Sequence, residues 1–179
     1  MKAIARFILY TILGWKLDGD FNKDIKKYVV IAAPHTSWQD FPIAILARTS
    51  SGIMVNFIGK DSLFNGPFGF FFKALGGTPV DRSKSNNLVD AIIQIFNAKD
   101  EFRLGLSPEG TRKKVDKWKT GFYYIAKGAN VPIVMATLDF EKKQVQLSDP
   151  YYTTDDKEKD FEVFYAFYHN VKGKNPDQF

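Results

Sequence analysis

Short apolar runs alternate with segments in which apolar side chains recur every three to four residues. Tyr28–Ala33 (YVVIAA) is a continuous apolar run closed by Pro34, as expected of a strand buried on both faces. Helical spacing follows over Phe41–Arg48, then a strand over Gly52–Ile58 and a short one over Gly77–Val80. From about Ser85 to Ala98 the residues Leu88, Ala91, Ile92, Ile95 and Phe96 mark one helical face. Phe102–Leu106 and Val131–Leu138 read as further strands, and the helix between them, Thr120–Gly128, is closed by glycine. Phe161, Phe164, Tyr165 and Tyr168 recur at helical intervals, so an amphipathic helix is expected within Asp155–Asn170. Strands alternating with helices predict an α/β fold: a mixed, largely parallel sheet flanked by helices, with amphipathic helices at both ends.

The N-terminal stretch needs separate treatment. Phe7–Trp15 (FILYTILGW) is too short for a spanning helix, which requires about 18 or more apolar residues. KLDGDF follows it and offers no small-x-small cleavage site, so the segment is expected to stay in the mature protein. As a helix it places Ala3, Ile4, Phe7, Ile8 and Leu13 on one broad apolar face. Residues 1–17 then either pack on the core or lie in a membrane interface, where Lys2, Arg6, Trp15 and Lys16 suit the headgroup region.

Composition narrows the chemistry. At 179 residues the chain fits one domain spanning 1–179. The absence of cysteine excludes a disulfide framework, a thiolate metal site and a cysteine nucleophile. Two histidines, His35 and His169, supply too few ligands for a three-histidine metal site, and no metal is expected. The net charge of +5 favours anionic partners without choosing among them. Aromatic residues make up 16% of the chain, which suits either a phenylalanine-rich core or a protein that handles acyl chains.

Two blocks at strand ends carry candidate chemistry. Pro34-His35-Thr36-Ser37-Trp38-Gln39-Asp40 stands where a buried strand gives way to a helix, a favoured place for ligand-binding residues in open α/β sheets. His35 can act as a general base, and Asp40, five residues on, can fold back to fix its tautomer. Spacing alone allows a plainer reading, in which Asp40 or Ser37 caps the helix. Ser107-Pro108-Glu109-Gly110-Thr111-Arg112 also follows an apolar strand, and its glycine, hydroxyl and guanidinium suit a phosphate. Taken in isolation it is equally a surface turn. Gly77–Arg82 (GTPVDR) can likewise be a turn with an ion pair.

Together the blocks resemble the glycerolipid acyltransferases of the lysophosphatidic acid acyltransferase type. That family has, in order, a His-x4-Asp block, a glycine-led block ending in Asp-Arg, Pro-Glu-Gly-Thr-Arg, and Val-Pro-Ile. The counterparts here are His35–Asp40, Gly77–Arg82, Pro108–Arg112 and Val131–Ile133, within a motif-bearing core of about residues 28–138. The resemblance implies direct acyl transfer with no covalent enzyme intermediate. His35 would deprotonate the acceptor hydroxyl, Asp40 would orient the imidazole, and nearby backbone amides would stabilise the oxyanion. Lys60, Arg82, Glu109, Gly110, Thr111 and Arg112 would hold the acceptor's phosphate. Gly66–Leu75 (GPFGFFFKAL) is aromatic enough for Phe70, Phe71 and Phe72 to wall an acyl channel, and reads equally as a core helix. Acyl-CoA or acyl carrier protein would be the donor, with no bound cofactor. The implied acceptor is a lysophospholipid, 1-acyl-glycerol-3-phosphate giving phosphatidic acid, at the cytoplasmic face of a membrane that the protein does not cross. Ser107 stands where the family often has Phe, and Val-Pro-Ile continues as Val-Met-Ala; these departures concern the acceptor.

Two other readings remain at this level. A lyso-aminolipid or lipid A-type precursor is an alternative acceptor. A non-catalytic basic domain binding anionic lipid or nucleic acid is a different class, although positive residues interspersed with acids and the lack of a nucleic-acid-binding motif argue against nucleic acid.

Overall fold

The computed structural model describes residues 1–80 and 88–179, with backbone alone at positions 60, 63 and 80. Five strands, β2 (Lys27–Ala33), β3 (Asn56–Lys60), β4 (Gly77–Val80), β5 (Phe102–Leu106) and β6 (Ile133–Thr137), form one sheet in the order β4-β3-β5-β2-β6. Every pairing in it is parallel, as expected where helical crossovers join the strands. The strand period of two then assigns alternate residues to opposite faces. From β2, Val29, Ile31 and Ala33 enter one core with Ile133 and Met135 of β6. Tyr28 and Val30 enter the other with Val134 and Ala136.

Each face is covered by helices. Helices α4 (Leu88–Ala98) and α5 (Gly121–Gly128) bury Ile92, Phe96, Phe122 and Ile125 in the first core, and α6 (Lys157–Phe167) adds Phe164. On the other side, α2 (Asp40–Ser51) buries Ile43 and Ala47 beside Leu9 of the N-terminal helix. Helix α2 stops at Gly52, whose left-handed φ of 77° costs an L-residue stability but not glycine. Residues 52–55 are therefore a turn, and the second strand starts at Asn56, later than the apolar run from Gly52 suggests. The buried Arg48 guanidinium ties this turn to the next helix, α3 (Gly69–Ala74), by donating to the carbonyls of Val55 and Leu75.

The expected terminal helices form, with one change of face. The chain runs as α1 (Lys2–Arg6) and then widens into a π-helical stretch over Phe7–Ile12. Ala5 and Leu9, four residues apart, turn inward. Ile4 and Phe7, assigned by sequence to the apolar face, are exposed together with Ile12. A further pair of short strands, β1 (Lys16–Asp18) and β7 (Gln144–Gln146), was not legible as strands because each is three residues long. Among the described residues no helix is long and apolar enough to cross a membrane.

Candidate active site

The sheet order creates a switch point. The crossover from β2 leads toward β3 on one side, whereas that from β5 leads past β2 to β6 on the other. Adjacent strands whose connections diverge leave a crevice beyond their carboxyl ends. The loop after β2 carries His35 and the loop after β5 carries Glu109, so both sequence blocks meet there.

Asp40 is the first residue of α2 and is buried. Its Oδ2 lies 2.9 Å from His35 Nδ1 and also accepts from the backbone N–H groups of Thr36 and Ser37, each at 2.8 Å. The histidine-partner reading is thus realised and the helix-cap reading is not: Asp40 bonds loop amides that precede α2, whose N-cap position is Gln39 with no side-chain cap. Contact with the carboxylate favours Nδ1–H and leaves Nε2 as the basic ring nitrogen. The His35 side chain is 31% exposed and lines a cavity, so that nitrogen is within reach of a ligand.

Glu109 occupies a different role from the expected one. It is buried, its two carboxylate oxygens both accept from the His35 backbone N–H at 3.0 Å, and Oε2 also accepts from Ser107 Oγ at 2.9 Å. It therefore fastens the loop after β5 to the histidine loop and does not face a phosphate, which a carboxylate would repel. Burial raises its pKa, an effect opposed by the His35 N–H and Ser107 hydroxyl. The amides of residues 35, 36 and 37 are all committed to carboxylates, so these are not free to serve an oxyanion.

The cavity is about 790 Å³, within the usual range for small-ligand sites. Gly110, Thr111 and Arg112 line it together with His35. Lys119 joins them and was missed, since no spacing distinguishes it from Lys113, Lys114 and Lys117. Its backbone N–H donates to Pro108 O at 2.8 Å, and its side chain crosses the place where a Cβ on Gly110 would stand. Gly110 also has φ of 66°, a second reason for glycine there. Arg112 and Lys119 are exposed and make no ion pair among the described residues, so the rim presents unneutralised positive charge. Lys60 ends β3, and Arg82 lies outside the described residues, as does the end of the Gly77–Arg82 block.

Apolar side chains make most of the remaining wall, among them Phe41, Ile45, Phe57, Ile92 and Phe122. Phe41 and Phe57 meet edge to face at 5.2 Å. The expected Phe70–Phe72 wall is not found: Phe70 and Phe71 project to solvent from α3, and Phe72 packs on Phe64 and Phe71. Helix α3 returns along the β4 edge of the sheet, away from the crevice, which explains the misassignment. No three His, Asp or Glu side chains among the described residues converge as a metal site.

Comparison with known proteins gives a related fold and a family. A solved structure titled as the 1-acyl-sn-glycerophosphate (LPA) acyltransferase PlsC from Thermotoga maritima has a similar fold, with a TM-score of 0.63 at 18% identity. The match covers 93% of this chain and 74% of that one. No curated protein matches the sequence. The model of the family described as Acyltransferase matches residues 16–138, a span that contains the histidine–aspartate pair, the Glu109–Arg112 loop and every strand of the main sheet. With well over half of its length in that match, the chain belongs to the acyltransferase family.

Proposed function

We propose that the protein transfers a fatty acyl group from a thioester donor, acyl-CoA or acyl carrier protein, to the free hydroxyl of a lysophospholipid. The acceptor is 1-acyl-glycerol-3-phosphate and the product phosphatidic acid. The observation that carries this reading is the His35–Asp40 pair at one end of a largely apolar cavity whose rim holds Arg112 and Lys119. In the reaction, His35 Nε2 takes the proton of the acceptor hydroxyl while the oxygen attacks the thioester carbonyl carbon. Collapse of the tetrahedral intermediate breaks the C–S bond. The imidazolium then returns its proton to the departing thiolate, leaving an ester and a free thiol. Asp40 stabilises the imidazolium formed in between.

The two-part cavity supports a substrate with a phosphate and an aliphatic chain. Arg112 can bond two phosphate oxygens at once, and Lys119 adds a point charge. The exposed Ile4, Phe7 and Ile12 beside Lys2 and Arg6 suit peripheral contact with an anionic bilayer, on its cytoplasmic face, where a lysophospholipid would be met. A phosphate-free acceptor leaves the cationic rim without a role, which ranks such acceptors below lysophosphatidate. The deciding experiment measures thiol release from both donor types over a panel of lyso-acceptors, with products identified by mass spectrometry. Phosphatidic acid formation is expected; absence of transfer to every phosphate-bearing acceptor refutes the reading.

A further inference from the structure

The last residues of the chain lie outside the span matched by the family model, yet they contact both loops of the candidate site. After α6 the chain returns along the protein, held first by Phe140 N–H donating to Lys172 O at 2.8 Å. Gly173 then passes so close to Pro34 and Thr36 that a Cβ on it would stand 2.6 Å from Thr36 Oγ1. Asn175 makes two bonds to Thr36: its backbone N–H donates to Oγ1 at 3.2 Å, and its side-chain Nδ2 donates to the carbonyl at 2.8 Å. Pro176–Gln178 forms a 3₁₀ turn that presents Gln178 to the same place. In the amide orientation that satisfies both its nitrogen and its oxygen, Gln178 donates to Thr36 O at 3.0 Å and to Arg112 O at 2.7 Å. Phe179 packs against the main core and anchors the end of the turn.

Thr36 is thus gripped from both sides. Its N–H belongs to Asp40, and its hydroxyl and carbonyl oxygens belong to the tail. Gln178 adds a second tie, beside that of Glu109, between the loop that carries the base and the loop that carries the rim arginine. We propose that residues 173–179 are a strap, with Asn175 and Gln178 as positioning residues that set the histidine loop and the Glu109–Arg112 loop in register for acyl transfer. They act through Thr36 and the backbone of Arg112, not on substrate. A base held within about half an ångström of its productive geometry matters because small displacements lower turnover steeply without weakening substrate binding equally.

This inference rests on the acyltransfer reading, and its test separates the two. Asn175→Ala combined with Gln178→Ala removes the side-chain bonds and leaves the backbone course of the tail. Lys172→Ala, which removes only an exposed ion pair to Glu141, is the control. In the double variant, kcat is expected to fall about tenfold with KM for the acyl donor within twofold, while the control matches the parent. Hydrogen exchange at the Thr36 and Ser37 amides, both bonded to Asp40, is expected to quicken about tenfold. Circular dichroism reports the folded fraction of each variant. Either quantity staying within twofold of the parent in a folded variant overturns the strap, and so does a loss of turnover that merely follows a loss of folded protein. If the parent transfers no acyl group, the acyltransfer reading fails and the exchange measurement alone decides whether the tail holds these loops.

Discussion

Asp160 and Asp40 are buried in two different regions of the molecule, which use them differently. Asp160, on α6, accepts from Tyr151 OH at 2.6 Å and from Thr154 N–H and Oγ at 2.9 Å each, so both oxygens are saturated by fixed groups. Burial alone pushes its pKa up, but these bonds outweigh burial and hold it below the ordinary value. Asp40 gathers its three donors on Oδ2 alone, and Oδ1 has no hydrogen-bond partner among the described residues. One of Asp40's donors is an imidazole open to a cavity, whereas Asp160's donors are a tyrosine hydroxyl and the N–H and hydroxyl of a threonine, none of which is a base. A saturated carboxylate ties elements together; a carboxylate bound to an accessible base can respond when that base changes charge.

Substitutions can break this contrast, and the largest effect is expected at the base itself. His35→Ala should lower turnover by about 10³-fold, measured as thiol release, with the melting temperature little changed. Asp40→Asn should cost about 10²-fold, since the amide neither stabilises an imidazolium nor fixes the tautomer as well. Asp160→Ala should do the reverse. It removes the acceptor of the half-buried Tyr151 hydroxyl and of the Thr154 N–H, for a stability loss of about 1–3 kcal/mol by urea denaturation, while turnover per folded molecule is retained.

Smaller effects sharpen the picture at the rim. Arg112→Ala should raise KM for a phosphate-bearing acceptor about tenfold and Lys119→Ala about fivefold, with kcat nearly constant. An equal rise in donor KM instead would move these cations to the donor's phosphates.

The smallest effect concerns pH. Because burial raises the Glu109 pKa, its protonated form is favoured by folding, and that contribution is lost as pH rises through the raised value. Glu109 should therefore contribute a loss of stability as pH rises from the ordinary glutamate range toward neutrality, read as the difference between the parent and Glu109→Gln. Glu109→Gln, which has no charge to bury, should show a shallower loss in urea midpoints measured at pH 4 and pH 7.

Most elements were legible because parallel strands covered on both faces read as continuous apolar runs, and helices between them show a clear stripe. The misreadings have physical causes. Ile4 and Phe7 face outward because the buried stripe runs through Ala5 and Leu9, a different face from the one the apolar pattern suggested. Glu109 was grouped with phosphate contacts because its neighbours in sequence line the cavity, yet its side chain alone turns back toward the His35 amide. Phe70–Phe72 looked suited to an acyl wall by composition, but which face a short helix presents depends on its neighbours.

The sequence by itself determined the α/β class, the His35–Asp40 spacing and the loop that ends in Arg112, since each depends on residues close together in the chain. Tertiary structure alone decided that these loops share one crevice, because that follows from the strand order. It also decided that Glu109 locks the histidine loop, that Phe41 and Phe57 wall the cavity, and that the distant Asn175 and Gln178 reach Thr36. Local pattern records what a residue prefers, whereas contacts across more than a hundred positions are set only when the sheet and its two cores have closed.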